Sequence, residues 1–166
     1  MAQITSKGKI TNTVGDLPEV GSAAPAFVLT KNDLSDTDLI DFRGKRIILN
    51  IFLSLETSVC ATSIRRFNQE ASGLDNTVVL CVSEDLPFTQ ARFCGAEGLE
   101  NVITLSAFRY RAFANSYGVR IIDGPLSGLT ARAVIVIDEE GRVIYRELVP
   151  EISQEPDYEA ALSVLR

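Results

Sequence analysis

Residues 46–53 are almost continuously apolar, with Ile47, Ile48, Leu49, Ile51 and Phe52 broken only by Asn50. A short run of this kind without alternation predicts a central strand covered on both faces. A polar turn follows. Beyond it Cys60, Ile64, Phe67, Ala71 and Leu74 recur at spacings of four, three, four and three, the apolar face of an amphipathic helix that ends near Gly73. A second buried strand is expected over 77–83, so strand, helix and strand make a right-handed unit with parallel strands. Pro87 suits the first position of a helix running to about Gly95. A strand at 102–105, a helical segment at 109–117 and another buried strand at 131–137 come next. The turn Asp138-Glu139-Glu140-Gly141 leads into a strand at 143–148, a hairpin that makes the sheet mixed. A closing helix from Pro156 presents Tyr158, Ala161, Leu162 and Leu165 on one face.

Upstream, two short alternating segments within 4–14 flank Lys7-Gly8-Lys9 as an N-terminal β-hairpin. A short strand is expected at 27–30, and 31–44 reads as polar and turn-rich. Helices alternating with buried strands imply an α/β layer fold. Order and lengths suit a thioredoxin-like fold, with a central mixed β-sheet flanked by helices and an N-terminal β-hairpin extension. No repeat or boundary divides the chain, so 1–166 is expected to be one domain.

An apolar fraction of 46% and a charged fraction of 23% suit an ordinary globular chain. The net charge of −6 argues against a nucleic-acid or anionic-membrane surface. The polar first fifteen residues lack the apolar core of a secretory signal. Three widely spaced cysteines, Cys60, Cys81 and Cys94, make a poor disulfide framework and fit a reducing, cytoplasmic compartment better. The absence of histidine excludes Cys-His catalysis and Cys-His zinc sites.

Cys60 falls in the first turn of its helix. With Thr57 as N-cap, the Thr57 hydroxyl is placed to accept from the Cys60 N–H. The partial positive charge of the helix start favours thiolate over thiol, below the free value of about 8.5. The same position also suits a plain apolar filler. Cys81, mid-strand, reads as filler. Cys94, at the glycine-rich end of its helix, is either an idle half-buried thiol or one able to travel to Cys60. Arg132, flanked by Ala131 and Ala133, either reaches water from a strand end or stands as a fixed cation beside Cys60. Phe108, Tyr110, Phe113 and Tyr117 are core by default, with a dimer face or an apolar substrate collar as the alternative. Acidic clusters such as 33–41 and 138–140 read as solvated loops.

In order along the chain stand Thr57-Ser58-Val59-Cys60-Ala61, Arg66-Phe67-Asn68, the stretch 76–81 and Asp85-Leu86-Pro87-Phe88. Then come Arg92-Phe93-Cys94-Gly95-Ala96-Glu97-Gly98, Asp123-Gly124-Pro125-Leu126, Ala131-Arg132-Ala133-Val134 and the stretch 155–162. This set resembles the bacterial thiol peroxidases, atypical two-cysteine peroxiredoxins, over nearly the whole chain. The resemblance implies that Cys60 is the peroxidatic cysteine, Thr57 the residue orienting peroxide and Arg132 the activating arginine. It further implies that Cys94 is the resolving cysteine, closing a disulfide with Cys60, and that Cys81 is dispensable. The implied substrate is hydrogen peroxide or an organic hydroperoxide and the implied reductant thioredoxin. The implied assembly is a homodimer, with no metal, haem or flavin cofactor.

One departure stands out. The family carries proline seven residues before the peroxidatic cysteine, and that position is Leu53 here. Leucine still excludes water but restores an N–H and frees φ, loosening the turn. Replacement of the family's small residue by Ser58 is milder. A redox-sensing or binding module with weakened turnover is the alternative this raises. Stopped-flow measurement is expected to show a peroxide-driven disulfide in the natural chain, with Leu53→Pro revealing what the missing ring costs. No disulfide at all would remove the expectation.

Overall fold

The computed structural model describes residues 1–166. A two-stranded hairpin, β1 (Gln3–Ser6) and β2 (Lys9–Asn12), precedes a seven-stranded sheet. That sheet holds β3 (Val28–Thr30), β4 (Asp36–Asp38), β5 (Arg46–Ile51), β6 (Thr77–Ser83), β7 (Ile103–Ser106), β8 (Ala133–Ile137) and β9 (Val143–Leu148). Their spatial order is β4-β3-β7-β6-β5-β8-β9. β5 and β6 are parallel, as are β6 and β7, while β8 joins β5 and β9 antiparallel, so the sheet is mixed as expected. The helices are α1 (Ser58–Ala71), α2 (Pro87–Glu97), α3 (Ala112–Ser116) and α4 (Tyr158–Ser163). No helix is long and apolar enough to cross a membrane.

Alternation along β5 divides the core. Ile48 and Phe52 face a layer containing Cys60, Ile64 and Phe67 of α1 and Ala161 and Leu162 of α4. Ile47, Leu49 and Ile51 face Phe27, Phe113 and Tyr117 on the other side. The two helices that matter for the site are held very differently. α1 fully buries Cys60, Ile64 and Phe67, and Phe67 stacks edge-on against Tyr158 at 5.2 Å between centroids. Each such large apolar side chain contributes roughly 1.5–3 kcal/mol. α2 buries only Pro87 and Gln90. It ends where Gly98 turns left-handed at φ 65° and returns its N–H to the Cys94 carbonyl.

The structure adjusts several expected boundaries. The segment 31–44 contains β4 and a 3-10 turn, Leu39–Phe42, too short to leave a periodic signal. β8 begins at Ala133 and not 131, because the Ala131 N–H donates to the Val119 carbonyl at 2.9 Å instead of joining the ladder. The third helix spans only Ala112–Ser116, since a turn from Ala107 to Tyr110 takes up the residues before it. The last helix starts at Tyr158, capped by the Asp157 carboxylate on the Ala160 N–H.

The hairpin turns through Lys7 and Gly8, both at positive φ, as a two-residue turn requires. It is clasped to the body by carboxylates. Asp123 accepts from the Thr11 hydroxyl at 2.6 Å and from the backbone and side chain of Asn12. Glu151 accepts from the Ser153 and Gly8 N–H groups and from the Ser153 and Thr5 hydroxyls. These bonds, the Ser153 N–H foremost, pull the Glu151 carboxyl down to about 2. An unfolded glutamate titrates near 4.3. A lowered folded-state value stabilises above the unfolded one and is lost as pH falls toward the folded one. Hydrogen-exchange protection of the Gly8 and Ser153 amides, corrected for intrinsic exchange, is therefore expected to decline from about pH 4.3 toward about 2. Glu151→Gln should abolish that pH dependence.

Candidate active site

β5 delivers the chain to a turn from which α1 departs. Phe52 still donates to the Val82 carbonyl at 3.1 Å, and its own carbonyl accepts from the Thr130 hydroxyl at 2.6 Å. That second bond fixes the segment bearing Arg132 against the end of β5. Leu53 and Leu55, 8% and 5% exposed, close over the same apolar cluster as Cys60. Thr57 is the N-cap of α1, in extended conformation, which makes Cys60 the third helical residue. The Thr57 side chain does not cap, contrary to expectation. Its hydroxyl donates backwards to the Ser54 carbonyl at 3.0 Å, tightening the turn. The Thr57 oxygen keeps lone pairs free, and the helix start presents its uncapped N–H groups to whatever enters.

Arg132 reaches Cys60. Its Nη2 donates to Cys60 Sγ at 3.2 Å and its Nε to the Ile152 carbonyl at 3.0 Å, in a guanidinium only 1% exposed. The third nitrogen, Nη1, is buried and has no partner. Of the two readings of this residue, the strand end reaching water is thus set aside. Cys60 itself is fully buried and lines none of the cavities of about 440, 450 and 320 Å³ around Phe42, Phe27 and Phe88.

Cys94 is half-buried on α2, with Sγ 3.5 Å from the Thr104 hydroxyl. It is not joined to Cys60. α2 is tied to α1 by a two-pronged ion pair, Arg65 Nε and Nη2 donating to Glu97 at 2.9 and 2.8 Å. Cys81 lies in the sheet beside Asn50, and burial pushes its thiol up to about 12. The aromatic stripe divides. Phe113 and Tyr117 stack at 4.7 Å in the core, while Phe108 is exposed beside Leu86 and Phe88 around a cavity of about 320 Å³. No three His, Cys, Asp or Glu side chains converge as a metal site.

Sequence reasoning passed over Asp85, two residues beyond the end of β6. Its carboxylate accepts from the Ser54 hydroxyl, the Leu55 N–H and the Ser83 hydroxyl at 2.9, 2.9 and 2.6 Å. The only trace in the sequence was its place in the Asp85-Leu86-Pro87-Phe88 segment.

A thiol held as high as Cys81 stays protonated across the ordinary range. With the folded protein at pH 8, mass-spectrometric mapping after iodoacetamide treatment is expected to find Cys81 unmodified. Unfolding in denaturant should expose it to the reagent. Modification of the folded chain at Cys81 would contradict its burial.

The Redoxin family model matches residues 19–162. The chain is 60% identical to a thiol peroxidase of Mycobacterium bovis over 165 residues, covering 99% of each. Among solved structures, a peroxiredoxin-like protein from Aquifex aeolicus superposes with a TM-score of 0.94 at 38% identity, covering 99% of this chain and 96% of that one. A thiol peroxidase from Chromobacterium violaceum gives 0.91 at 26% identity, covering 98% and 94%. With 60% identity extending over 99% of its length, the chain belongs to the thiol peroxidases, within the peroxiredoxin-type Redoxin family.

Proposed function

We propose that this chain is a thioredoxin-dependent hydroperoxide reductase in which Cys60 is the attacking sulfur, and that residues 1–166 act as one peroxiredoxin domain. The observation that carries the reading is the buried Arg132, bonded to Cys60 Sγ through Nη2 with Nη1 unpartnered. A buried donor without an acceptor is costly, and an oxygen of a bound peroxide is a natural partner. The Cys60 thiolate attacks the terminal oxygen of ROOH. The O–O bond breaks, the RO⁻ fragment takes a proton to leave as ROH, and Cys60 becomes a sulfenic acid. Thr57 orients the peroxide, and Arg132 faces charge developing on the leaving oxygen. Hydrogen peroxide and organic hydroperoxides both satisfy this chemistry.

Cys94 then displaces water from the sulfenic acid, forming the Cys60–Cys94 disulfide, and a thioredoxin dithiol reduces it by exchange. Disulfide geometry needs the two Cα atoms within about 7 Å, and in this reading the ends of both helices rearrange to reach it, α2 by partly unwinding. The scant apolar burial of α2 supports that. The three unlinked thiols suit a cytoplasmic location. A homodimer is supported by the exposed Leu86, Phe88 and Phe108. The second reading, a redox sensor with weak turnover, is favoured by the complete burial of Cys60.

One equivalent of peroxide is expected to yield a peptide cross-linked through Cys60 and Cys94, with Cys81 free. Cys60→Ser should abolish peroxide consumption, and Cys94→Ser should stop at the sulfenic acid. Arg132→Met should slow Cys60 oxidation by about a hundredfold. Oxidation without recycling by thioredoxin would select the sensor, and unreacted thiols would overturn both readings.

A further inference from the structure

Asp85 lies between Cys60 and Cys94 in the chain. One carboxylate oxygen accepts from the Ser54 hydroxyl and the other from the Leu55 N–H, so both grip the turn between β5 and α1. The second oxygen also accepts from the Ser83 hydroxyl. The Ser83 oxygen in turn accepts from the Gln90 side-chain amide at 3.2 Å, and Gln90, fully buried, anchors the same amide on the Leu105 carbonyl at 3.0 Å. Gln90 lies on α2 one helical turn before Cys94. An unbroken path of hydrogen bonds thus runs from α2 through Ser83 and Asp85 to the turn that launches Cys60.

We propose that Asp85 is a positioning residue for peroxide reduction, clamping the turn at 54–55 and sensing through Ser83 and Gln90 whether α2 is wound. The inference rests on Cys60 as the attacking sulfur. The turn carries Leu53 where a proline ring would otherwise limit its freedom, and side-chain bonds to a carboxylate supply a restraint in its place. Two hydrogen bonds hold the turn while a third comes from Ser83 at the end of β6, the residue that Gln90 of α2 reaches. Winding of α2 keeps Gln90 on Ser83, which orients the Ser83 hydroxyl toward Asp85. When α2 opens to release Cys94, that orientation is lost and the clamp loosens. The same bonds that steady Cys60 for peroxide therefore oppose the disulfide step.

Stopped-flow on the full chain separates the peroxide-dependent second-order step from the peroxide-independent disulfide step. Asp85→Ala leaves the Leu55 N–H and Ser54 hydroxyl without their acceptor and should lower the second-order constant roughly tenfold or more, misplacement being costly. The disulfide step should not fall. Asp85→Asn should recover to within about threefold of the natural chain, because the amide oxygen can take the Leu55 N–H while the Ser54 hydroxyl rotates to accept. Gln90→Ala should speed the disulfide step several-fold, on the order of one lost hydrogen bond.

An Asp85→Ala constant within twofold of the natural chain overturns the proposal, as does a parallel fall of both steps. An Asp85→Asn chain as slow as Asp85→Ala also overturns it, and an unchanged disulfide step in Gln90→Ala breaks the link to α2. Should Asp85→Ala not fold, Ser54→Ala carries the test, with about a threefold slower peroxide step expected and no change overturning the clamp. Cys60→Ser distinguishes the underlying reading: peroxide consumption surviving in that chain defeats the assignment of Cys60 itself, whatever Asp85 does.

Discussion

Arg132 carries its positive charge at 1% exposure, between the layer built on α1 and the chain returning from β9. A buried ion left unpaired is destabilising by several kcal/mol, so its surroundings must answer it with acceptors held in place. The Ile152 carbonyl takes one donor and Cys60 Sγ another. The flanking segment is fixed from both sides, by the Thr130 hydroxyl on the Phe52 carbonyl and by the Val149 N–H on the Arg132 carbonyl. The carboxyl end of β5, the start of α1, the approach to β8 and the exit of β9 therefore converge on one guanidinium. Its remaining nitrogen, Nη1, has no partner and marks where this convergence is incomplete.

Much of this frame was legible because it rests on long, strongly patterned elements. β5 and β6 announce themselves by runs of buried residues, and α1 by the four-three spacing from Cys60 to Leu74. Arg132 stood out for the opposite reason, a charge inside an apolar stretch. Cys81 was readable as filler from its mid-strand place. What escaped depended on partners far away in sequence. β4 is a three-residue strand paired with another of three residues, below the length at which alternation can be seen. The Thr57 hydroxyl had two acceptors or donors within reach, and local spacing does not reveal that the Ser54 carbonyl wins. Asp85 binds a turn thirty residues earlier, and nothing in its own neighbourhood says so.

The full burial of Cys60 also lay outside sequence reasoning. Periodicity placed it on the apolar face of α1 yet gave no depth. Leu53 and Leu55 join the apolar cluster around Cys60 from a turn, not from a regular element, and turns open at lower free energy than packed helices. The restraint on that turn is polar: Asp85 and the Ser54 carbonyl hold it through directional bonds that can break and re-form without disturbing the sheet beneath.

The asymmetry between α1 and α2 follows from the same distinction. α1 is fixed by Ile64 and Phe67 in the core and by Arg66 lying 4.8 Å over the Tyr158 ring, so moving it would expose several large apolar groups. α2 is fixed chiefly by exchangeable contacts: the Gln90 amide, the Thr104 hydroxyl near Cys94 and the exposed Arg65–Glu97 pair. An exposed ion pair contributes only about 0–1 kcal/mol, against roughly 1.5–3 kcal/mol for each large side chain buried from α1. If the two thiols are to meet, α2 must therefore travel while the body of α1 stays. The helix whose ties can be broken singly is the cheaper one to move.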